Sequence, residues 1–238
     1  MSATRTVAIA RYPTFSEGDE DWTVVGIDVI RATTTAVTAV HAGRRCFPVA
    51  SLEEAVPLAG RLHSPLLVGE LGGNMPYGFH LQNSPTEMER RAELERPVIL
   101  LSSSGTGLLT AAAARSRTYA ACLRNARAQA QRLIDAHEHV LLLAGEHRIE
   151  FREEDRLCCG RIAGALLAAG FEPRNVLVEE IVKRWADAPD DAFMDGHSVR
   201  YLADTGQLHD AEFILEHVDD LDSVYEMRNG ELVLSDGQ

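Results

Sequence analysis

The stretch that decides the fold is Thr23-Val24-Val25-Gly26-Ile27-Asp28-Val29-Ile30-Arg31-Ala32-Thr33-Thr34-Thr35. Its apolar run, Thr23 to Ile27, predicts a buried strand, and the residues from Thr34 to His41 predict a helix. An acid, a base and three hydroxyls therefore lie between a strand and a helix N-terminus. Open α/β sheets bind anionic ligands at such turns. The segment predicts an α/β sheet with an anion-binding edge.

Further strand–loop–helix units along the chain carry similar chemistry. The strand Leu66–Val68 ends at Glu70 and precedes a glycine-rich loop. The strand Pro97–Leu101 leads into the loop Ser102–Gly107 and a helix, and the strand Val140–Leu143 precedes an acidic helix start. In a parallel or mostly parallel sheet these loops lie on one edge, so that they can face one pocket.

The order of these elements predicts a layered α/β/α fold with a mostly parallel or mixed sheet. The last third predicts C-terminal helices, including Ala192–Asp204, and a terminal hairpin around Asn229-Gly230. Tyr201 and Leu202 are expected in the core of that region. Because no linker interrupts the chain, residues 1–238 are expected to form a single unit, with subdomains of about 1–140 and 141–238 as the alternative.

Composition limits the function classes. The chain has 238 residues, with 23 Lys and Arg against 36 Asp and Glu, for a formal charge of −13. So acidic a chain is a poor general binder of nucleic acid or of anionic membranes. The four cysteines form no C-x-x-C pair and are expected to be buried thiols. Because no signal peptide or apolar run of about 20 residues is present, a soluble cytoplasmic protein is expected.

The candidate site residues each allow two interpretations. The Ser102–Gly107 loop can bind an anion through backbone N–H groups, or merely cap the following helix. Asp28 and Glu70 are suited to Mg²⁺, with Glu154 and Asp155 as further ligands, although the last two also suit a helix N-terminus. Asp28 alone can also be a capping residue.

Arg31 can bind a phosphate or sulfonate, or form an ion pair with an acidic neighbour. Among the histidines, His80 is the better site candidate because it lies between the glycine-rich loop and Asn83. His137 and His139 flank a strand start and are expected to face solvent.

Taken together, the motifs resemble those of the 2-phosphosulfolactate phosphatase family. The resemblance runs from about Thr23 to Asp210. It rests on six segments in a fixed order: Asp28 to Thr35, Gly69 to Gly73, Gly78 to Pro85, Ser102 to Thr106, Leu123 to Ala126, and Glu154-Asp155 followed by Gly160. Two departures stand out, because Ser104 replaces an asparagine of the family and His80 replaces an aspartate.

The resemblance implies a Mg²⁺-dependent phosphatase that acts on 2-phosphosulfolactate in coenzyme M biosynthesis, and a homodimer. It implies catalytic roles for Asp28, Arg31 and Glu70. The implied substrate- and phosphate-binding residues are Asn83, Ser103, Ser104, Gly105 and Thr106. The hydroxyls of Thr33 and Thr34 in the first segment are expected to bind the substrate with them. The implied metal ligands are Asp28, Glu70, Glu154 and Asp155.

Two other functions remain open at this point. The altered loop residues also suit a non-catalytic or regulatory domain that binds a phosphorylated metabolite. Alternatively, the enzyme acts on a different small phosphorylated acid. The residues do not decide whether Asp28 or Glu70 would orient the attacking water or act as the nucleophile.

Overall fold

The computed structural model describes residues 4–13, 21–145 and 151–235. Within these ranges the chain forms ten strands and nine helices. The strands are β1 Thr6–Tyr12, β2 Thr23–Ile27, β3 Cys46–Val49, β4 Leu66–Gly69, β5 Val98–Leu101, β6 Thr118–Ala121, β7 His139–Gly145, β8 Glu172–Pro173, β9 Tyr225–Arg228 and β10 Glu231–Leu234. The helices are α1 Ala32–His41, α2 Leu52–Ala59, α3 Pro85–Arg90, α4 Gly105–Ala113, α5 Ala126–Ala136, α6 Glu153–Ala168, α7 Val176–Trp185, α8 His197–Asp204 and α9 Leu208–Glu216.

All ten strands form one mixed sheet, in the order β4-β5-β3-β10-β9-β6-β2-β7-β1-β8. The layered α/β prediction with a mixed sheet is therefore confirmed. The sheet contains two parallel blocks, β4-β5-β3 and β6-β2-β7-β1-β8. The terminal hairpin β9-β10 lies between them and pairs antiparallel with both. Three antiparallel steps separate the blocks, so their strands run in opposite directions.

This arrangement corrects the expected reason for the loops to meet, since the two blocks do not share one carboxyl edge of a parallel sheet. Adjacent strands twist by about 20–25° on average, so the five steps from β5 to β2 accumulate roughly 100–125°. Helix α4 follows β5 but packs against β2, β3, β6 and β7, and so joins both blocks. Its N-terminus thereby reaches the end of β2.

The packing of α4 on β2 depends on Gly26. A Cβ atom at this position would lie 2.6 Å from side-chain atoms of both Leu108 and Leu109, which are fully buried. Close approach of helix and strand requires the missing side chain. Gly26 therefore determines how closely α4 packs against the sheet.

The helix starts follow the local sequence signals. The Ser51 hydroxyl accepts a hydrogen bond from the Glu54 N–H, and the Ser84 hydroxyl accepts one from the Glu87 N–H. Pro85 occupies the first position of α3, where its missing N–H costs no helical bond. These side-chain caps fix where α2 and α3 begin.

Three local predictions were wrong. The helix expected over Ala192–Asp204 begins at His197, because residues 190–195 form turns and Gly196 caps α8. Tyr201 is 40% exposed rather than in the core. His137 is half-buried, with hydrogen-bonding contacts to the Thr23 hydroxyl and the Tyr119 hydroxyl.

Other expectations held. All four cysteines are free and buried, and Leu202 is 1% exposed. None of the helices in the described ranges combines the length and the apolar character that crossing a membrane requires.

Candidate active site

A cavity of about 440 Å³ lies where the loops after β2, β4 and β5 meet the end of β7, the start of α6 and α8. Seven of the candidate site residues line it: Asp28, Arg31, Glu70, Asn83, Ser103, Ser104 and Asp155. The structure thus brings together side chains from both parallel blocks of the sheet, and the helices after residue 150 close the remaining wall.

Asp28 occupies the end of β2 and is 7% exposed. Its Oδ1 accepts a hydrogen bond from the Ala32 N–H at 3.1 Å, and its Oδ2 accepts one from the Ser104 hydroxyl at 3.0 Å. Burial raises the pKa of Asp28, and these two hydrogen bonds oppose the rise. One oxygen therefore caps α1, whereas the other contacts the serine-rich loop in the cavity.

The Ser102–Gly107 loop divides into a closed part and an open part. The Ser102 N–H donates to the Thr106 hydroxyl at 2.8 Å, and the Thr106 N–H donates to the Ser102 hydroxyl at 3.0 Å. These two residues cap the helix start, as the capping interpretation expects. Ser103 and Ser104 line the cavity at the N-terminus of α4, and Ser102 is also part of its lining. First-turn N–H groups lack partners within a helix and favour anions there.

Gly105 allows α4 to approach the end of β2. A Cβ atom at Gly105 would lie 2.4 Å from Asp28 Oδ2 and 2.6 Å from the Ala32 Cβ. The N-termini of α1 and α4 thus come together around Asp28. Both helix dipoles present their positive ends to this carboxylate.

Glu70 connects two loops at the edge of the cavity. Its Oε1 accepts a hydrogen bond from the Ser103 N–H at 2.8 Å. Its Oε2 accepts bonds from the Ser103 hydroxyl at 2.9 Å and from the Gly73 N–H at 2.7 Å. Both carboxylate oxygens are therefore engaged in holding the glycine-rich loop beside the serine-rich loop.

Arg31 is held by a buried network that sequence reasoning missed. Its Nη1 donates to Asp210 Oδ2 and to Gln207 Oε1, both at 2.6 Å. Asp210 also accepts a hydrogen bond from the Ser84 hydroxyl at 2.6 Å. Arg31 is 5% exposed and Asp210 is fully buried, so the ion pair is internal rather than on the surface. The pair links α9 and the cap of α3 to the cavity.

The two acids at the start of α6 lie in different environments: Asp155 faces the cavity, whereas Glu154 is buried outside the cavity lining. Asp155 lines the cavity, and its Oδ1 accepts a hydrogen bond from the Val29 N–H at 2.8 Å. Burial, followed by the charges of Glu154 and Asp28, raises the pKa of Asp155 well above its usual range. Burial raises the pKa of Glu154 to about 7, and a hydrogen bond with Ser198 opposes this rise.

The remaining candidates occupy different positions. The Thr33 hydroxyl donates to the Asp28 carbonyl, and the Thr34 hydroxyl donates to the Val29 carbonyl. Both threonines are fully buried and stabilise the turn. Asn83 is 3% exposed and lines the cavity. His80 lies outside the cavity lining, where its Nδ1 accepts a hydrogen bond from the Leu67 N–H.

Several lining residues carried no recognisable signal in the sequence. They are Gly145, Arg152, His197, Ser198 and Tyr201. Gly145 is adjacent to Asp28, since a Cβ atom at Gly145 would lie 3.2 Å from Asp28 Oδ2. Its position in β7, paired beside β2, is the feature from which this contact could have been inferred. Arg152 lies at the start of α6, and the other three lie in α8. The placement of both helices depends on long-range packing.

The carboxylates of the cavity suit a hard cation. In the described ranges, no three His, Cys, Asp or Glu side chains already form a metal cluster. Mg²⁺ does not require one, because it is commonly held by one or two carboxylates with water and phosphate oxygens. Asp28 and Asp155 provide such a pair. Glu154 adds a buried Oε2 that accepts no hydrogen bond from the described part of the chain. The donor set therefore fits Mg²⁺.

Comparison with known proteins is consistent across most of the chain. A family profile described as 2-phosphosulpholactate phosphatase matches residues 12–230. A Carboxydothermus hydrogenoformans protein named "Probable 2-phosphosulfolactate phosphatase" is 36% identical over 65% of this chain and 65% of its own length, just under two thirds. Proteins of the same name from Synechococcus sp. WH7803 and Caldicellulosiruptor saccharolyticus are 32% and 28% identical. They cover 68% and 88% of this chain, and 68% and 90% of their own lengths. The chain therefore belongs to the 2-phosphosulpholactate phosphatase family.

Proposed function

We propose that this chain is a phosphoric monoester hydrolase that converts 2-phosphosulfolactate to sulfolactate and inorganic phosphate. Family membership supports the reaction. The observation that carries the proposal is the contact of Asp28 Oδ2 with Ser104 at the N-terminus of α4, in a cavity that Arg31 and Asp155 also line. A helix end of this kind can bind the phosphate, and a carboxylate beside it can take up a proton from an attacking water.

The phosphate would bind against the start of α4. The first-turn N–H groups of this helix supply donors to phosphate oxygens, apart from that of Thr106, which donates to the Ser102 hydroxyl. The hydroxyls of Ser103 and Ser104 donate to Glu70 and Asp28 and so hold these carboxylates beside the phosphate position. Arg31 adds positive charge, and its Nη1 is already oriented by Asp210 and Gln207. The other N–H groups of a guanidinium can donate to a phosphate. These residues hold the phosphorus in place for attack.

Asp28 is the better candidate for the base. Glu70 is committed to Ser103 and Gly73 through three hydrogen bonds, and is assigned here to positioning the loops. Asp28 would take a proton from the attacking water as the new P–O bond forms. The bond from phosphorus to the ester oxygen breaks, and that oxygen takes up a proton from solvent.

Mg²⁺ dependence is part of the proposal. Asp28 and Asp155 would hold the ion, with Glu154 close behind them. When bound, the ion supplies charge neutralisation to the phosphate oxygens while the ester bond breaks. The mutual repulsion among these acids, which contributes to the raised pKa of Asp155, would be relieved by a cation.

The decisive experiment is phosphate release from a panel of phosphorylated hydroxy acids, with purified protein and Mg²⁺. Rapid release from 2-phosphosulfolactate, and its loss with EDTA, are the expected results. Tight binding without release would instead favour a non-catalytic domain that binds phosphorylated metabolites. Faster release from another ester would keep the enzyme class but change the substrate.

An Asp28→Asn variant tests the catalytic assignment. Since the amide keeps the shape but cannot take up the proton, kcat is expected to fall by about 10²–10⁴-fold. Its circular dichroism spectrum should match that of the parent protein. Retention of full turnover by this variant would refute the role of Asp28.

Three further features expected from the sequence and from the family likeness belong to the proposal. They are a homodimer, a cytoplasmic location and a place in coenzyme M biosynthesis. Sedimentation equilibrium tests the first of these directly, with a mass near twice the 26.1 kDa of one chain as the expected result.

A further inference from the structure

A second cavity, of about 450 Å³, adjoins the first. Its lining contains four arginines, here called the arginine cluster: Arg11, Arg152, Arg156 and Arg200. His197 also lines it. Arg152 and His197 belong to the walls of both cavities, so the two spaces lie side by side at the starts of α6 and α8.

The charge of this lining opposes that of the whole protein. Among the described residues that line the second cavity, four carry guanidinium groups and two, Glu153 and Asp195, carry carboxylates. Arg11 and Arg152 have partners of their own, so the positive charge available to a ligand is that of Arg156 and Arg200. The chain as a whole carries a formal charge of −13. Concave surfaces of one sign focus the electrostatic field and raise the local concentration of ligands of the opposite sign. This part of the surface therefore attracts anions that the rest of the protein repels.

Arg156 and Arg200 differ from the ion-paired arginines of the chain. Arg45, Arg117 and Arg161 each lie within 3 Å of a carboxylate oxygen. Among residues 4–13, 21–145 and 151–235, no carboxylate lies within ion-pair distance of Arg156 or Arg200. Arg156 instead stacks over the Phe151 ring at 5.4 Å. Stacking orients a guanidinium while leaving its N–H groups directed outward.

The substrate class explains why such a cluster would adjoin the phosphate site. 2-Phosphosulfolactate carries a carboxylate and a sulfonate besides the phosphate that is removed. In the first cavity, one arginine, Arg31, serves the proposed phosphate position. Guanidinium groups match oxyanions by paired hydrogen bonds, and the arginine cluster provides such groups on the neighbouring wall.

We propose that Arg156 and Arg200 of the arginine cluster bind the acidic groups of the substrate that are not transferred, while the phosphate lies at the start of α4. This inference rests on the function proposed above and names the residues that determine specificity. Arg156 and Arg200 act only on binding. A phosphate ester that lacks a second acidic group does not use the cluster.

The test compares substrates that differ in their acidic groups. The probes are 2-phosphosulfolactate, phosphoglycolate, the phosphate ester of 2-hydroxyethanesulfonate, and phenyl phosphate. In Arg200→Gln and Arg156→Gln, the ratio of kcat/KM for 2-phosphosulfolactate to that for phenyl phosphate is expected to fall about tenfold, chiefly through KM. Phosphoglycolate adds only a carboxylate, and the phosphate ester of 2-hydroxyethanesulfonate adds only a sulfonate. These two probes therefore show which acidic group accounts for the change.

Arg184→Gln is the matched control. Arg184 also stacks on an aromatic ring, that of Trp185, at 5.2 Å, and it lies outside both cavities. The substitution removes the same charge, so an equal change of the ratio in this variant would overturn the proposal. A ratio within about twofold of the parent value in both cluster variants would overturn it too. If Arg156→Gln unfolds, Arg200→Gln decides, because this side chain is exposed.

A calorimetric titration with sulfolactate separates this inference from the proposed function. Absence of phosphate release from every ester would refute the phosphatase, yet the titration would still report on the cluster. Weaker binding of sulfolactate by Arg200→Gln than by Arg184→Gln supports the cluster. Equal binding by these two variants and the parent protein refutes it.

Discussion

Asp210→Asn tests whether a buried ion pair holds Arg31 in the cavity. Arg31 Nη1 lies 2.6 Å from Asp210 Oδ2, and the two side chains are 5% and 0% exposed. The substitution keeps the shape of the side chain but removes the charge that compensates the guanidinium. Removing one partner from a buried pair costs about 3–5 kcal/mol, because the other charge stays desolvated.

The structure places the expected loss at the lower end of that range. The carbonyl oxygen of the introduced asparagine can still accept a bond, and Gln207 Oε1 remains 2.6 Å from Arg31 Nη1. A loss of about 3 kcal/mol lowers the melting temperature of a chain of this size by about 6–12 °C. Since Arg31 also loses its fixed orientation beside the phosphate, kcat/KM is expected to fall about 100-fold.

Two comparisons make this prediction specific. Asp220→Asn breaks the Arg124–Asp220 pair, in which Arg124 is 3% and Asp220 is 30% exposed, outside the cavity. It should lower stability less and leave kcat/KM near the parent value. A double-mutant cycle with Arg31→Met isolates the coupling between Arg31 and Asp210. The reasoning fails if Asp210→Asn melts with the parent protein, or if the cycle shows no coupling energy.

Three further predictions concern other parts of the structure. Gly105→Ala should destabilise the protein by about 1–3 kcal/mol, because the new Cβ would lie 2.4 Å from Asp28 Oδ2. Gly107→Ala should instead stabilise α4 by up to about 1 kcal/mol, because the atom nearest to its new Cβ lies 3.7 Å away. Urea unfolding in which both variants change the free energy of unfolding in the same direction would contradict this. Burial raises the folded-state pKa of Glu154 to about 7, so its ionisation destabilises the fold as pH rises from 4.5 to 7. Without metal, Glu154→Gln should therefore have a higher melting temperature than the parent protein at pH 8 and the same melting temperature near pH 4.5. A difference in melting temperature that does not change with pH would argue against this. Burial lowers the pKa of His137 to about 4, so its stabilising contribution is complete above pH 6.5 and is lost as pH falls toward 4. Thermal scans of His137→Gln should show a weaker fall in stability over that window, and an unchanged fall would count against it.

Much of the fold was predictable because the local signals are strong. The strand Thr23–Ile27 has the predicted bounds, and α3 begins where Ser84, Pro85 and Glu87 together form a local helix-start signal. The Asn229-Gly230 turn joins β9 and β10, as its dipeptide indicates. These features depend on residues that are close in the chain. The late start of α8 was missed because Gly196 and the turns before it outweigh a helical pattern.

The candidate site was predictable only in parts. The position of a carboxylate or serine after a strand is a local property, and Asp28, Glu70 and Ser104 all occupy such positions. The burial of Asp210 beside Arg31 joins residues 179 apart in the chain, and no periodicity specifies such a contact. The role of Thr33 as a turn stabiliser also depends on its neighbours, since a hydroxyl before a helix can face either the backbone or a ligand.

The terminal hairpin explains why local signals could not reveal how the loops meet. The blocks β4-β5-β3 and β6-β2-β7-β1-β8 each supply part of the cavity. Within the sheet, the two blocks are joined through the hairpin β9-β10. The hairpin pairs with each block through few residues. Leu232 pairs with Cys46, and Glu226 and Tyr225 pair with Tyr119 and Ala120. Since strand twist accumulates across the hairpin, its register sets the angle between the blocks. The distance from Asp28 to Ser104 therefore depends on residues more than 100 positions away, as well as on the loops that contain them.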